Sequence, residues 1–152
     1  MRVRMPVTIG RFQAADESDW RALFGAYNAF YDVTLPQNVY AATWQRLIET
    51  DGDLHGFAAR DAAGTPIGLV HYFFHGSTWS LRERCYLEDL FVGPEVRGTG
   101  IGRALIAAVA DAARGRGCDR LYWHTHASNA TARRLYDAVA VHDGFIRYDL
   151  PL

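Results

Sequence analysis

Two adjacent carboxylates, Glu88 and Asp89, interrupt an otherwise apolar run from Tyr86 to Val92, and a glycine-rich segment, Arg97-Gly98-Thr99-Gly100-Ile101-Gly102, follows within a few residues. Burial or a like-charged neighbour raises the proton affinity of a carboxylate, so Glu88 suits a proton acceptor as well as a structural salt bridge. In the second segment, missing β-carbons let the backbone turn sharply and let a ligand approach the unpaired N–H groups of a helix N-terminus. Such an end attracts anions, above all phosphates. The spacing is Gly-x-Gly-x-Gly, which fits neither the Gly-x-Gly-x-x-Gly of a dinucleotide fold nor the Gly-Lys-Ser/Thr ending of a P-loop.

Other reactive side chains are scattered. His71 and His75 lie four apart on one apolar run, and His124 and His126 two apart on another, so each pair could form half of a metal site. No Cys-x-x-Cys or His-Glu-x-x-His framework accompanies them, and no metal is expected. Cys85 and Cys118 are the only thiols and should be reduced and unpaired. Tyr31 and Asp32 fall where a helical pattern runs out, a place from which they could face a substrate.

The elements that must position these groups follow from periodicity. Val7 to Phe12 alternates as a first strand. Asp16 or Ser18 can cap a helix whose stripe of Trp20, Leu23, Phe24, Tyr27, Phe30 and Tyr31 reads mainly as core. Asn38 can cap a second helix, ended by Thr50-Asp51-Gly52-Asp53. Leu54 to Arg60 and Pro66 to His75 form a hairpin about a turn-prone linker, and the strand from Cys85 ends near Val92, since Pro94 lacks the N–H a central strand needs. A helix then begins at about Gly100, with Ile101, Leu105, Ile106, Val109 and Ala112 on one face. Leu121 to His126 is a fifth strand, Asn129 to Ala140 a last helix, and Phe145 to Tyr148 a closing strand. The strand, crossover helix and strand imply parallel pairing of strands four and five.

Length and charge bound the rest. A chain of 152 residues and 17.0 kDa has the size of one domain, read here as 1–152, and can bury roughly 70% of its unfolded surface. Its 16 basic and 17 acidic residues argue against nucleic acid or an anionic membrane as the main partner, and favour a small molecule. No run approaches the roughly 20 apolar residues of a membrane span, and a cytoplasmic protein is expected.

Arg97, Gly100 and Gly102 match the signature Arg/Gln-x-x-Gly-x-Gly/Ala, and with the preceding YLEDLFV the stretch resembles the acetyl-coenzyme A pyrophosphate loop of the GNAT superfamily of N-acetyltransferases. The element order is also that of the family. The resemblance implies an α/β (α+β) fold: a mixed, mostly antiparallel central sheet flanked by helices, with a parallel pair splayed at strands four and five. It implies that the loop from Gly98 to Arg103, including Thr99 and Ile101, takes the pyrophosphate. The cofactor arm would enter the splayed gap along the backbone of Leu90, Phe91 and Val92.

Asn129-x-x-Ala132-x-x-Leu135-Tyr136 matches a second motif of the family. By resemblance, Asn129 and Ala132 lie near the cofactor arm and Tyr136 is the general acid that protonates the leaving thiolate. Seven residues is two helical turns, so Asn129 and Tyr136 share a face. Glu88 is the leading proton acceptor for the attacking amine, with His124 the alternative, because the fifth strand borders the family's acceptor pocket. In the diamine- and polyamine-acetylating branch the same Leu-Glu-Asp motif occurs, and Asp32, Glu88 and Asp143 could together hold a cation. The Gly-Phe pair that many members carry soon after Leu135-Tyr136 is postponed here to Gly144-Phe145. The expectation is a homodimeric enzyme transferring acetyl from acetyl-coenzyme A to a primary amine in a ternary complex. Its rival is a binding module that senses acyl-coenzyme A without catalysis.

Overall fold

The structure, a computed structural model, describes residues 6–152. Its elements are β1 (Thr8–Gly10), α1 (Glu17–Phe30), α2 (Gln37–Ile48), β2 (Leu54–Arg60), β3 (Pro66–His75), β4 (Arg84–Val92), α3 (Ile101–Arg116), β5 (Arg120–Tyr122) and α4 (Ala130–Val139). The five strands form one sheet in sequence order. All neighbours are antiparallel except β4 and β5, which pair in parallel through the α3 crossover.

Each face of the sheet carries its own core. On one, Leu105, Ile106 and Val109 of α3 pack with Val70, Tyr72, Cys85 and Leu87. On the other, Trp20 and Phe24 of α1 and Trp44 and Leu47 of α2 pack with Ala58, Leu69 and Phe91. Trp20 is wholly buried, its ring 5.2 Å from that of Trp44 and 5.4 Å from that of Phe24. The aromatic stripe of α1 is thus core as far as Tyr27, while Phe30 at its end is 62% exposed and Tyr31, just past the helix, is half-buried.

One irregularity between β3 and β4 shapes everything downstream. Tyr72 lies opposite Leu87 and His71 opposite Asp89, so Glu88 has no cross-strand partner. An extra residue in one strand is a β-bulge, which bends the strand and shifts its side-chain alternation by one. Before it, Cys85 and Leu87 pack towards α3; after it, Leu90 and Val92 do so, while Phe91 joins the α1 and α2 core. The last β4–β5 pair, Tyr86 with Tyr122, falls just before the bulge. Beyond it the two strands part.

Several expectations need correction. The fifth strand ends at Tyr122 rather than His126, because the bend in β4 carries its hydrogen-bonding edge away. The closing strand at Phe145–Tyr148 does not form: residues 141–152 are irregular, with Phe145 78% and Tyr148 86% exposed. A strand needs an edge to bond to, and the three residues of β5 offer very little of one. Helix α2 starts two residues early, at Gln37 with Pro36 rather than Asn38 as its cap, since Pro36 in extended conformation already presents its carbonyl to the N–H groups of Val39 and Tyr40. Asp16 precedes α1, but its carboxylate bonds the Gln13 N–H and Arg60, whose guanidinium holds the Asp16 carboxyl below its ordinary range. The first strand covers only Thr8–Gly10.

Candidate active site

The glycine-rich loop turns as its composition requires. Gly98 has φ +76° and Gly100 φ +88°, left-handed conformations that most side chains avoid. Gly100 is the N-cap of α3, with no side chain capping the first turn. Its carbonyl accepts from the Ala104 N–H at 3.0 Å, so the amides of Ile101, Gly102 and Arg103 lie where a helix has no internal acceptor to offer. The Thr99 hydroxyl donates to the Val96 carbonyl at 2.6 Å, tying the loop to the turn before it. With no acidic residue in the first turn of α3, this end is free to receive an anion.

Arg97 anchors the loop from the other side. Its Nε donates to the Val92 carbonyl at 3.0 Å, and its guanidinium lies 5.3 Å from the centroid of the Phe91 ring. The opening between β4 and β5 therefore ends directly on the loop. On the far side of β4, the Gly93 N–H donates to the Ile67 carbonyl; by alternation Val92 and Leu90 turn their backbone groups to the opening. Both their side chains and that of Phe91 remain core.

Helix α4 packs against α3. The Asn129 carbonyl oxygen caps it by accepting from the Ala132 N–H at 3.3 Å, and its amide nitrogen donates to the Thr125 hydroxyl at 3.5 Å. A β-carbon on Gly102 would come within 3.3 Å of Leu135, so this glycine sets how closely α3 and α4 approach. Two helical turns from Asn129, Tyr136 is partly buried against the α3 core, edge-on to Trp123 at 5.4 Å. Burial, and then Tyr31, push its phenol above the ordinary value. It stays protonated at neutral pH.

Tyr31 and Asp32 line an open pocket of about 490 Å³ together with Phe30, His126 and Asn129. Asp32 adopts a left-handed φ of +54° at the end of α1. Glu88 stands in the bulge, open to solvent; partial desolvation first, and then the charge of Asp89, raise its carboxyl above the ordinary value. Nδ1 of His124 lies 3.3 Å from the Tyr86 hydroxyl. Asp143 belongs to the exposed tail, where its Oδ1 accepts from the Phe145 N–H.

The first histidine pair is engaged within the fold. His71 Nε2 accepts from Trp20 Nε1 at 2.9 Å and its Nδ1 lies 2.9 Å from Asp89 Oδ2. His75 contacts the Tyr122 hydroxyl and the Gly76 carbonyl, both at 2.7 Å. Among the described residues no group of three metal-ligating side chains comes together. Cys85 is buried and its thiol pushed up to about 12 by that burial, so it is no nucleophile. The link from Trp20 through His71 to Asp89 was not legible in the sequence, because it depends on cross-strand register; the only hint was a histidine inside an apolar run.

Comparison with known proteins gives the family. The family model described as Acetyltransferase (GNAT) family matches residues 20–140. D-amino-acid N-acetyltransferase HPA3 of Saccharomyces cerevisiae is 33% identical over 135 residues, 88% of this chain and 84% of that protein. Thialysine N-epsilon-acetyltransferase of Bos taurus is 42% identical over 77 residues, 51% of this chain and 45% of that protein. Aminoglycoside N-acetyltransferase AAC(6')-Iy, solved in complex with CoA, superposes with a TM-score of 0.83 at 19% identity, over 99% of this chain and 98% of that one. The chain belongs to the GNAT family. It is an enzyme of the N-acetyltransferase class, acting on amines.

Proposed function

We propose that residues 1–152 form one cytoplasmic acetyltransferase domain that moves an acetyl group from acetyl-coenzyme A to the primary amine of a small molecule by direct attack in a ternary complex. The observation that carries this is the β4–β5 opening, which runs from the bulge at Glu88 to the helix N-terminus at Gly100. The N–H groups of Ile101, Gly102 and Arg103 suit a pyrophosphate, and the backbone groups of Leu90 and Val92 suit amides of a pantetheine arm. Acetyl-coenzyme A, bound there, supplies an activated thioester. Asn129 and Ala132 place α4 against that arm. Glu88, or His124 in its stead, takes the proton of the incoming ammonium, and Tyr136 gives its own to the sulfur as the C–S bond breaks. Tyr31, Asp32 and Asp143 are assigned to the acceptor side. Among the described residues no helix is long and apolar enough to cross a membrane.

A panel of primary amines assayed for coenzyme A release tests this reading, and Glu88→Gln on the best acceptor tests the proton path. The raised carboxyl means that wild-type kcat/KM should fall as pH drops through a value above the ordinary carboxylate range, since protonated Glu88 accepts nothing. The glutamine variant should lose about 10-fold near neutral pH, a modest factor because solvent reaches the site, and recover as alkali deprotonates the amine. An unchanged profile would pass the role to His124 or a water chain.

We also propose a homodimer, in which the tail of one copy lies along the sheet of the other. Phe145, Ile146, Tyr148 and Leu150 are each at least 75% exposed, an apolar set that its own chain leaves uncovered. Among the described residues the outer edge of β5 has no partner either, so two copies related by a twofold axis would satisfy both needs at once. Light scattering should give twice the 17.0 kDa of one chain, and removal of residues 141–152 should give monomer. A monomeric full chain would refute the pairing.

A further inference from the structure

Side chains from α1, β3 and β4 meet at the β4 bulge. Trp20 is wholly buried, the His71 side chain is 1% exposed and that of Asp89 15%. Trp20 Nε1 donates to His71 Nε2 at 2.9 Å, and Nδ1 of the same ring lies 2.9 Å from Asp89 Oδ2. An indole N–H can only donate, so His71 Nε2 must accept, and the ring hydrogen sits on Nδ1, directed at the carboxylate. The Phe24 ring, edge-on at 5.1 Å, holds the imidazole from another side. Asp89 is thus fixed from α1, through a ring that has no freedom to choose its tautomer.

That bond selects between two registers. Leu87 and Leu90 both pack towards α3, which strict alternation forbids and one extra residue allows. Pairing continued from Tyr72 and Leu87 without the bulge would put His71 opposite Glu88, another carboxylate, and Asp89 opposite Val70 on the α3 side. A carboxylate has no place among those apolar side chains. With the bulge, Asp89 instead meets the His71 N–H on the other face. The choice reaches the opening. As paired, Leu90 and Val92 turn their backbone groups towards it, whereas the unbulged register would turn those of Asp89 and Phe91 and let β4 continue in step with β5.

We propose that Trp20, His71 and Asp89 are the positioning residues of the cofactor opening: their buried hydrogen-bonded chain fixes the register of β4 beyond Glu88 and so keeps β4 and β5 apart. None of the three need touch the cofactor. The proposal rests on the reading of that opening as the acetyl-coenzyme A site, and ties its shape to α1, the helix whose end lines the open pocket. What aligns the strand is the hydrogen bond rather than the charge. An amide carbonyl at position 89 can accept from the His71 Nδ1–H as a carboxylate does, and a leucine cannot. Leucine there would also remove the objection to the unbulged pairing, since it can sit against Val70.

The test follows the full chain by NMR and calorimetry. In Asp89→Leu, cross-strand NOEs should place His71 opposite Glu88, and acetyl-coenzyme A should bind ~10-fold or more weakly, as misplacement of a site's frame predicts. Asp89→Asn should keep the wild-type NOEs and affinity. Trp20→Phe keeps a buried ring and drops only the donor. It should release the His71 tautomer, read from the ring nitrogen shifts, and weaken binding in the same direction but less. Should Asp89→Leu not fold, Trp20→Phe decides, and unchanged affinity there overturns the proposal. A merely structural chain would lower melting temperatures while NOEs and affinity stay as in wild type, which overturns it too. So does an Asp89→Asn variant that behaves as Asp89→Leu, since charge and not the bond would then be the cause. If wild type binds no acetyl-coenzyme A, the cofactor reading alone fails and the NOEs still decide: a moved register in Asp89→Leu supports the positioning role, and an unmoved one overturns it.

Discussion

Replacing Tyr136 with phenylalanine is expected to lower turnover by about 10²- to 10⁴-fold while leaving acetyl-coenzyme A affinity unchanged, the scale of a positioned acid. The substitution removes one oxygen and keeps the ring that packs edge-on against Trp123, so α4 should hold its place against α3. The thiolate that departs when the acyl bond breaks is a poor leaving group unless a proton reaches it, and that need exists only as the bond breaks. Loss should therefore appear in kcat and kcat/KM together. Because burial raises the phenol, the acid form persists through neutrality, and wild-type activity should not decline on the alkaline side before about pH 10, the ordinary phenol value. Single-turnover kinetics with calorimetric cofactor affinity would check it. Full activity in the variant would return Tyr136 to the core; tight cofactor binding with no turnover of any amine by wild type would favour the sensor reading instead.

Gly100→Asp should weaken acetyl-coenzyme A binding by about 10²-fold. At an effective dielectric of 20, two like unit charges 4 Å apart repel by about 4 kcal/mol, and by about 1 kcal/mol in water, a range that brackets a hundredfold loss. The substitution also places a side chain at φ +88°, which must be separated from the charge. Gly100→Asn serves: asparagine and aspartate both tolerate the left-handed region, and both cap helices well, so the two variants should melt alike. Only the aspartate sets a carboxylate against the proposed anion site. Equal affinities in the two variants would show that shape, not charge, governs the position, and an Asp variant that binds like wild type would remove the loop from the cofactor site.

The two predictions draw on residues that the sequence exposes to different degrees. Gly98 and Gly100 announce themselves, because a left-handed turn into a helix leaves few alternatives to glycine. The hairpin, the main strand, the crossover helix and the parallel pair after it were equally legible, since local periodicity and the reach of the chain decide them. Asn129 and Tyr136 could be put on one face of one helix by counting residues. Nothing in that counting could say that the Asn129 carbonyl oxygen caps the helix or that Arg97 ties the loop to Val92.

Tertiary structure decided what depended on register and on edges. Glu88 and Asp89 are neighbours in sequence with the same chemistry, yet the bulge gives one to solvent and the other to His71 and Trp20. A shift of one residue in pairing exchanges the two faces of a strand, and no local pattern reports it. The tail fails for a related reason. Phe145 to Tyr148 has the composition of a strand, but composition supplies only one half of a ladder, and in the described chain no partner edge lies alongside it to supply the other.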